Sequence, residues 1–260
     1  MARPLIWLSA LVLTTLLTDV HGQNRVGKST SYRDVCATVW SYLRAPTNDH
    51  THAIFHRKRV AGGQLQVTDA SQAQAGPDAP RTRFELTSID VYYDGFALVR
   101  VDERDVPRTL VLTLFHQNGT WTLVNEVEVG GADAKRNPVF SSATSADEVM
   151  QAMATYYEAV EFGRAAPLNA LFHPQWHMKN PEDGVLVAEG KAAFLERIDG
   201  RPVAGYYEDR QVTDLQILYD TIAVVRVDKP ASRSTTLFTL FREQGRWRII
   251  DKAWAVPQPL

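Results

Sequence analysis

The chain has 260 residues, of which 45% are apolar and 22% are charged, and its formal net charge is -2. This composition is that of an ordinary globular protein, and the length is comfortable for two domains of roughly 110 residues each. The near-neutral charge gives no indication of a nucleic-acid-binding surface or of a basic patch that attaches to membranes, so we expect neither kind of partner.

The first 22 residues have the pattern of a secretory signal peptide. Arg3 supplies a positive start, and the apolar run over residues 5–17 is too short to span a bilayer comfortably. Val20 and Gly22 are small enough for the positions before a cleavage site. We therefore expect residues 1–22 to be cleaved from an exported protein, periplasmic or secreted, without membrane contact after cleavage. An uncleaved membrane anchor is the alternative.

Each half of the chain begins with a pattern typical of an amphipathic helix. Ser31 and Ser145 are each followed three residues later by an acidic residue, which is the spacing of a capping box. Apolar residues then recur at helical spacing, at Val35, Val39 and Tyr42 in the first half and at Val149, Met153, Tyr156 and Val160 in the second. Cys36, the only cysteine, cannot form an internal disulfide and is expected to pack as a small buried hydrophobe.

Segments 86–129 and 212–255 are two copies of one sequence. They align without a gap and share about a third of their residues, which marks duplicated domains. Each copy is rich in β-branched and aromatic residues and predicts four strands, with a tight turn at Asn118-Gly119 or Gln244-Gly245. Before the second copy, residues 168–184 predict a short helix and a turn.

The repeat predicts an α+β fold with two tandem cone-shaped domains, each with N-terminal helices packed in a bent antiparallel sheet. The predicted boundaries are a first domain at 29–130, a linker at 131–144 and a second domain at 145–257. Apolar residues that we expect on the outer sheet faces are Phe238 and Leu240 in the second copy, and Leu112 and Leu114 in the first. We therefore predict that the two domains pair intramolecularly as a pseudo-dimer.

The order of these features resembles the nuclear transport factor 2-like superfamily. The features are a helix with an inward tyrosine, Tyr156, then the LFHP segment from Leu171, and a meander that closes on Gly245-Arg246-Trp247 and Trp254. The branches it resembles most are the SnoaL-like and putative lumazine-binding families, over residues 145–257 and less well over 31–129. The resemblance implies a cone that can hold a small molecule without a cofactor.

This superfamily includes ketosteroid isomerase, and the alignment implies a set of equivalent positions. Tyr156 corresponds to the oxyanion-hole tyrosine and Trp254 to a pocket aromatic. Asn180 replaces the aspartate that shuttles the proton, and Leu237 replaces the protonated aspartate of the oxyanion hole. An amide cannot accept and return a proton near neutral pH, and a leucine cannot donate a hydrogen bond. The resemblance therefore favours ligand binding without catalysis.

The expected ligand is a small, flat, apolar or aromatic molecule in the second domain, contacted by Tyr156, Trp176, Asn180, Trp254 and His173. Ordinary core packing of Trp176 and a turn at His173 are the competing interpretation. A second hypothesis is a lyase or isomerase of the SnoaL type, in which His173 works with an aspartate. A third is a structural or assembly protein whose pockets are filled by its own side chains.

For the enzyme hypothesis, the candidate partners of His173 are Asp251 and Asp220, although no spacing in the sequence forces either contact. His50, His52 and His56 lie in NDHTHAIFH at a spacing with little specificity for metal, so we predict solvated loop histidines and no metal site.

Arg100 and Arg226 end two matching VRVD strands, each with an aspartate two residues on. We predict cross-strand ion pairs at the sheet surface, and an anion clamp for a carboxylate ligand is the alternative.

Overall fold

The computed structural model describes residues 29–44, 48–70, 84–130, 143–182 and 184–257. The predicted signal peptide and most of the predicted linker lie outside these ranges. Among the described residues, no helix is long and apolar enough to cross a membrane.

The first half consists of one helix and a six-stranded sheet. Its elements are α1 (Ser29–Arg44), a 3-10 turn (Asn48–His50), β1 (Thr51–Ala61), β2 (Gln64–Asp69), β3 (Phe84–Tyr92), β4 (Phe96–Glu103), β5 (Arg108–Gln117) and β6 (Thr120–Gly130). The strand order is β2-β1-β6-β5-β4-β3. Neighbouring strands are antiparallel except β1 and β6, which are parallel, so the sheet is mixed.

The second half repeats this sheet and adds two short helices. Its elements are α2 (Ala143–Glu161), α3 (Ala165–Leu171), β7 (Phe172–Glu182), β8 (Val185–Gly190), α4 (Lys191–Ile198), β9 (Gln211–Leu218), β10 (Ile222–Lys229), a 3-10 turn (Pro230–Ser232), β11 (Ser234–Glu243) and β12 (Arg246–Ala255). The strand order β8-β7-β12-β11-β10-β9 is that of the first sheet. The prediction of two tandem α+β domains is confirmed.

The four predicted strands of each repeat are present, and the turns between the last two have the expected geometry. Asn118 and Gly119 have φ values of 50° and 79°, and Gln244 and Gly245 have 50° and 77°. Two consecutive left-handed residues form the type of hairpin turn whose twist matches that of the flanking strands.

The predicted helix and turn at residues 168–184 are only partly correct. Helix α3 ends at Leu171, and the polar-aromatic stretch that follows is the interior strand β7. Pro174 and Pro181 favour a turn locally, but parallel pairing with β12 and burial of alternate residues such as Trp176 and Met178 override that preference. Strand β1 is its counterpart, so His52 and His56 lie on a strand rather than in a solvated loop.

The concave face of each sheet packs against its helix. Val149, Met153, Tyr156 and Val160 of α2 lie in one apolar cluster with strand residues of the second sheet, as the helical spacing predicts. The matching residues of α1 are buried against the first sheet in the same way. Cys36 is half-buried, and burial raises the pKa of its thiol.

The two sheets pack against each other through their outer faces, which confirms the intrachain pseudo-dimer. One apolar cluster joins the halves, with Phe96, Val111 and Phe115 from the first sheet and Leu237 and Phe241 from the second. Leu237 therefore faces the other domain and not Tyr156.

The prediction of which strand residues face outward was wrong. Phe238 and Leu240 lie inside the second cone, and Leu112 and Leu114 lie inside the first. These strands are apolar on both faces, so their sequence has no polar alternation that could distinguish one face from the other.

Polar contacts at the domain interface occur in two equivalent sets, related by an approximate twofold symmetry between the domains. The Thr109 hydroxyl donates to Asp102 and lies 3.4 Å from the Tyr219 hydroxyl of the other domain. In the symmetric position, the Thr235 hydroxyl donates to Asp228 and lies 3.2 Å from the Tyr93 hydroxyl.

Each aspartate of these contacts also pairs with the arginine two residues before it, at 3.1 Å for Arg100 and 2.7 Å for Arg226. The Arg226 guanidinium lies 4.6 Å from the ring centroid of Tyr92 in the first domain. The prediction of cross-strand pairs was therefore wrong: each pair forms along a single strand, and both belong to the domain interface instead of an open surface.

Candidate functional site

The interior of the second cone contains a small polar group within an aromatic core. Tyr156 is fully buried, and its hydroxyl lies 3.1 Å from that of Tyr206. The Lys252 ammonium donates to the Tyr206 hydroxyl at 3.3 Å. It also lies 5.7 Å from the Tyr156 ring centroid and 6.0 Å from those of Phe194 and Phe238. The aromatic faces and one phenol thus stabilise a positive charge in an apolar core.

The two phenols of this group have different acidities. Burial, together with the neighbouring Tyr206, raises the pKa of Tyr156 well above its ordinary value. Burial alone would raise the pKa of Tyr206 as well, but the charges of Lys252 and Arg210 lower it below its ordinary value. Tyr206 is therefore the more acidic phenol, and Tyr156 stays protonated as a donor.

The same positions in the first cone carry the opposite charge. Tyr42 is the counterpart of Tyr156, and its hydroxyl donates to Glu126, the counterpart of Lys252 in the aligned repeats. Arg57 pairs with Glu126 at 3.0 Å and donates to the Tyr42 hydroxyl at 2.8 Å. The three side chains therefore pair with one another inside the first cone.

A cleft of about 340 Å³ opens at the surface of the second domain, between α2 and the edge of the sheet. Helix α2 contributes Met153 and Tyr157 to its wall, and strands β9 and β10 contribute Val212 and Val227. The segment that precedes β9 contributes Arg210. The volume is at the lower end of the roughly 300–1,000 Å³ range of small-molecule sites.

Arg210 is the cationic group of the cleft wall. Its guanidinium carbon lies 4.1 Å from the ring centroid of Tyr206 and 5.5 Å from that of Tyr157. Its Nε donates to the backbone carbonyl of Tyr206. Within the described part of the chain, no carboxylate pairs with it.

Of the predicted ligand-binding residues, Tyr156, Trp176 and Trp254 belong to one apolar cluster inside the second cone. The Trp176 side chain is 1% exposed and stacks on Phe172 with ring centroids 4.3 Å apart. Asn180 is buried on β7, where its amide donates to the carbonyl of Pro181 at 3.5 Å. These side chains fill the cone, and the cleft lies at its margin.

The structure does not bring His173 and Asp251 together. The Nε2 atom of His173 lies 3.9 Å from Oε1 of Glu243, and its Nδ1 accepts the backbone N–H of Gln175. Asp251 is buried at the domain interface and pairs with Lys58 of the first domain at 2.5 Å. Asp220, the other candidate partner of His173, accepts hydrogen bonds from Ser145 and Arg242 in the turn between β9 and β10.

Asp251 belongs to a cluster of buried polar groups that spans the interface. Lys179, the counterpart of Lys58, lies 3.9 Å from the same carboxylate. It donates to the backbone carbonyl of Val124 at 2.8 Å and to the side chain of Asn125, the counterpart of Asp251. Burial lowers the pKa of both lysines, and the carboxylate partly opposes this shift. Two lysines therefore share one aspartate.

Two histidines stack beside these lysines. The rings of His56 and His177, one from each domain, lie 4.0 Å apart at an angle of 22°. Burial and the neighbouring lysines lower the pKa of His56 to about 2 and that of His177 to about 4. Both imidazoles are therefore neutral near neutral pH. His56 and His177 are counterparts in the two domains, and the same alignment pairs His52 with His173. The Nδ1 atoms of His52 and His173 each accept the backbone N–H of the residue two positions later.

Sequence reasoning missed Lys252 and Tyr206, which form the polar group inside the second cone, and Arg210, which lines the cleft. Lys252 could have been found, because it aligns with Glu126 and the two repeats thus carry opposite charges at one strand position. Tyr206 and Arg210 lie in the segment between α4 and β9, outside the repeat, and no motif there points to a site. Among the described residues, no group of three histidine, cysteine or acidic side chains is positioned to hold a metal ion.

Residues 144–255 match the family model described as putative lumazine-binding. No curated protein matches the chain. Among solved structures, an NTF-2 like protein of unknown function from Silicibacter pomeroyi is 18% identical, with a TM-score of 0.40, over 45% of this chain and 99% of that chain. An NTF2-like protein of unknown function from Shewanella baltica is also 18% identical, with a TM-score of 0.38, over 46% of this chain and 99% of that chain.

Proposed function

We propose that the chain carries two tandem domains of the nuclear transport factor 2-like superfamily, the second of the putative lumazine-binding type. We further propose that it is an exported protein that binds a small molecule in its second domain without catalysing a reaction. The observation that supports the proposal most directly is the cleft beside α2, which combines an apolar wall with a cationic group.

The arrangement of titratable groups favours binding over catalysis. A general acid or base has to reach the substrate and titrate near the working pH. The phenol of Tyr157 in the cleft wall has its pKa raised by burial and by Tyr206, so it does not exchange protons near neutrality. His173, the candidate base, pairs with Glu243 away from the cleft wall.

The first domain has a structural role in this proposal. Its cone contains the ion pair of Arg57 and Glu126, and its sheet covers the outer face of the second sheet. Folding of the first domain would then be needed to keep the second sheet, and hence the cleft, in place.

A cleft-filling substitution tests the binding site. Ala154 lies on the exposed side of α2 and lines the cleft, so Ala154→Phe places a ring in the cleft with little effect on folding. We expect flat aromatic and lipid-like metabolites that raise the melting temperature of the wild-type protein to lose this effect in the variant. Ala192→Phe is the matched control, because Ala192 is an exposed residue of α4 outside the cleft wall.

Two outcomes would count against the proposal. If no compound of a broad aromatic and lipid-like library raises the melting temperature, the second domain does not bind this class of molecule. If Ala154→Phe keeps the shift that Ala192→Phe also keeps, the ligand binds elsewhere.

Export is proposed from the pattern of residues 1–22 alone. We expect the mass of the protein recovered from outside the cytoplasm to correspond to a chain cut near Gly22. A full-length mass in the cytoplasmic fraction would contradict it.

A further inference from the structure

Building on the proposed function, we infer that the cleft of the second domain selects anionic amphiphiles, with a carboxylate held by Arg210 and Tyr157 and an apolar body along the rest of the cleft wall. The expected ligand is therefore a molecule with an apolar body and a negatively charged end, rather than any flat apolar molecule.

The guanidinium of Arg210 is held in place before a ligand arrives. The rings of Tyr206 and Tyr157 flank it, and its Nε is bound to the backbone carbonyl of Tyr206. The terminal N–H groups make no ion pair with any described carboxylate. One donor interacts with the Tyr157 hydroxyl, and the remaining donors of this planar, positioned guanidinium match the oxygens of a carboxylate.

The second donor is the hydroxyl of Tyr157. This side chain is 3% exposed, and its buried oxygen lies beside the Arg210 guanidinium, which interacts with it as a hydrogen-bond donor. Burial and the neighbouring Tyr206 raise the pKa of this phenol more than Arg210 lowers it, so the phenol keeps its proton and can donate. A buried O–H without an acceptor is unfavourable, and a ligand oxygen that reaches it would remove that cost.

The rest of the wall is suited to an apolar body. Met153 and Val227 are almost fully buried, and Val212 is half-buried beside them. Met150, at the mouth, is 41% exposed, which is an unusual exposure for a methionine on a helix that packs against a core. Burial of the accessible surface of Met150 and Val212 by a ligand would be favourable in itself.

Acidic groups also lie near the cleft mouth. Glu208 and Asp209 precede Arg210 in the chain and are exposed. Because they remain in water, their effect on a bound anion is screened, whereas the cleft wall offers Arg210 in a partly desolvated setting.

The test compares 2-naphthoate with its neutral isostere 2-naphthamide, by calorimetry on the full chain. We expect 2-naphthoate to bind more tightly, and Arg210→Met to weaken its binding at least about tenfold, as for loss of a charge-assisted hydrogen bond, with little effect on the amide. Arg246→Met is the control, because Arg246 is exposed at the start of β12 and lies outside the cleft wall. Tyr157→Phe should weaken naphthoate binding by a smaller factor.

A measurement on the wild-type protein gives a test that does not depend on the folding of any variant. High NaCl should weaken the binding of naphthoate and leave that of the amide unchanged, because only the former depends on charge. Equal affinity of the two probes at low salt, or an unchanged naphthoate affinity in a folded Arg210→Met protein, would overturn the anion preference and leave the cleft as a binding site. Absence of binding by both probes and by every compound of the wider library would overturn both proposals.

Discussion

The stacked pair of His56 and His177 makes the stability of the domain interface sensitive to acid. Both imidazoles have folded-state pKa values well below the ordinary 6.5, at about 2 and about 4. The unfolded chain therefore binds more protons than the folded protein, and the free energy of unfolding falls as the pH drops below about 6.5. The groups that face the pair are Lys58, Lys179 and Asp251, whose net charge is positive when all three are ionised.

The size of the effect follows from linkage. Each histidine that stays neutral costs about 1.4 kcal/mol for every pH unit below its unfolded pKa, so the pair lowers the unfolding free energy by at most about 4 kcal/mol between pH 6.5 and 5. Both rings are only partly buried, so screening by solvent reduces the expected loss to about 2 kcal/mol. Most paired carboxylates titrate below this window, which isolates the contribution of the histidines.

Urea unfolding followed by tryptophan fluorescence at pH 6.5 and pH 5 measures the loss. In a protein with both His56→Phe and His177→Phe, the rings can still stack but cannot be protonated, so we expect at least half of the pH dependence to disappear. His116→Phe is the matched control, because His116 also packs against an aromatic ring, that of Trp121, but does not belong to the stacked histidine pair. A double variant as acid-sensitive as the wild-type protein would refute the reasoning.

Two further variants test the buried charges. Asp251→Asn leaves the two buried lysines of the interface without a carboxylate and should lower the unfolding free energy by about 3–5 kcal/mol. The control Asp214→Asn, at an exposed site, should change the unfolding free energy by less than about 0.5 kcal/mol. Equal losses of the two variants in urea unfolding would contradict this expectation. Lys252→Met removes the charge that lowers the pKa of Tyr206, so the absorbance change of tyrosinate should move to higher pH. An unchanged titration would show that Lys252 does not set that acidity.

The fold could be predicted largely because the chain repeats itself. The two gapless copies predict four strands each, the turns between them and the tandem arrangement of the domains. The face that each strand buries could not be predicted in the same way. Leu237 and Phe238 are both apolar and both buried, one at the domain interface and one against Tyr156. When a sheet is covered on both sides, the alternation that normally identifies its core face disappears.

The candidate site was harder to predict, for a related reason. Aromatic residues such as Trp176 suggested a pocket, but an indole stacks equally well on a ligand and on Phe172, and the sequence does not distinguish the two. Arg210 is an ordinary loop arginine in sequence. Its role depends on the two tyrosine rings that flank it, and that arrangement exists only in the folded chain.

The duplication shows how the interiors of two copies of one fold can differ in charge. At equivalent positions inside the cones, Glu126 takes a salt bridge from Arg57, whereas Lys252 has only a phenol and aromatic faces around it. A complete ion pair satisfies the first interior. The second interior therefore has a lysine without a carboxylate partner among the described residues, and the segment that carries Tyr206 and Arg210 adds a second cation in the cleft wall. The anion preference that we propose for the cleft agrees with this exchange of charge between the two copies.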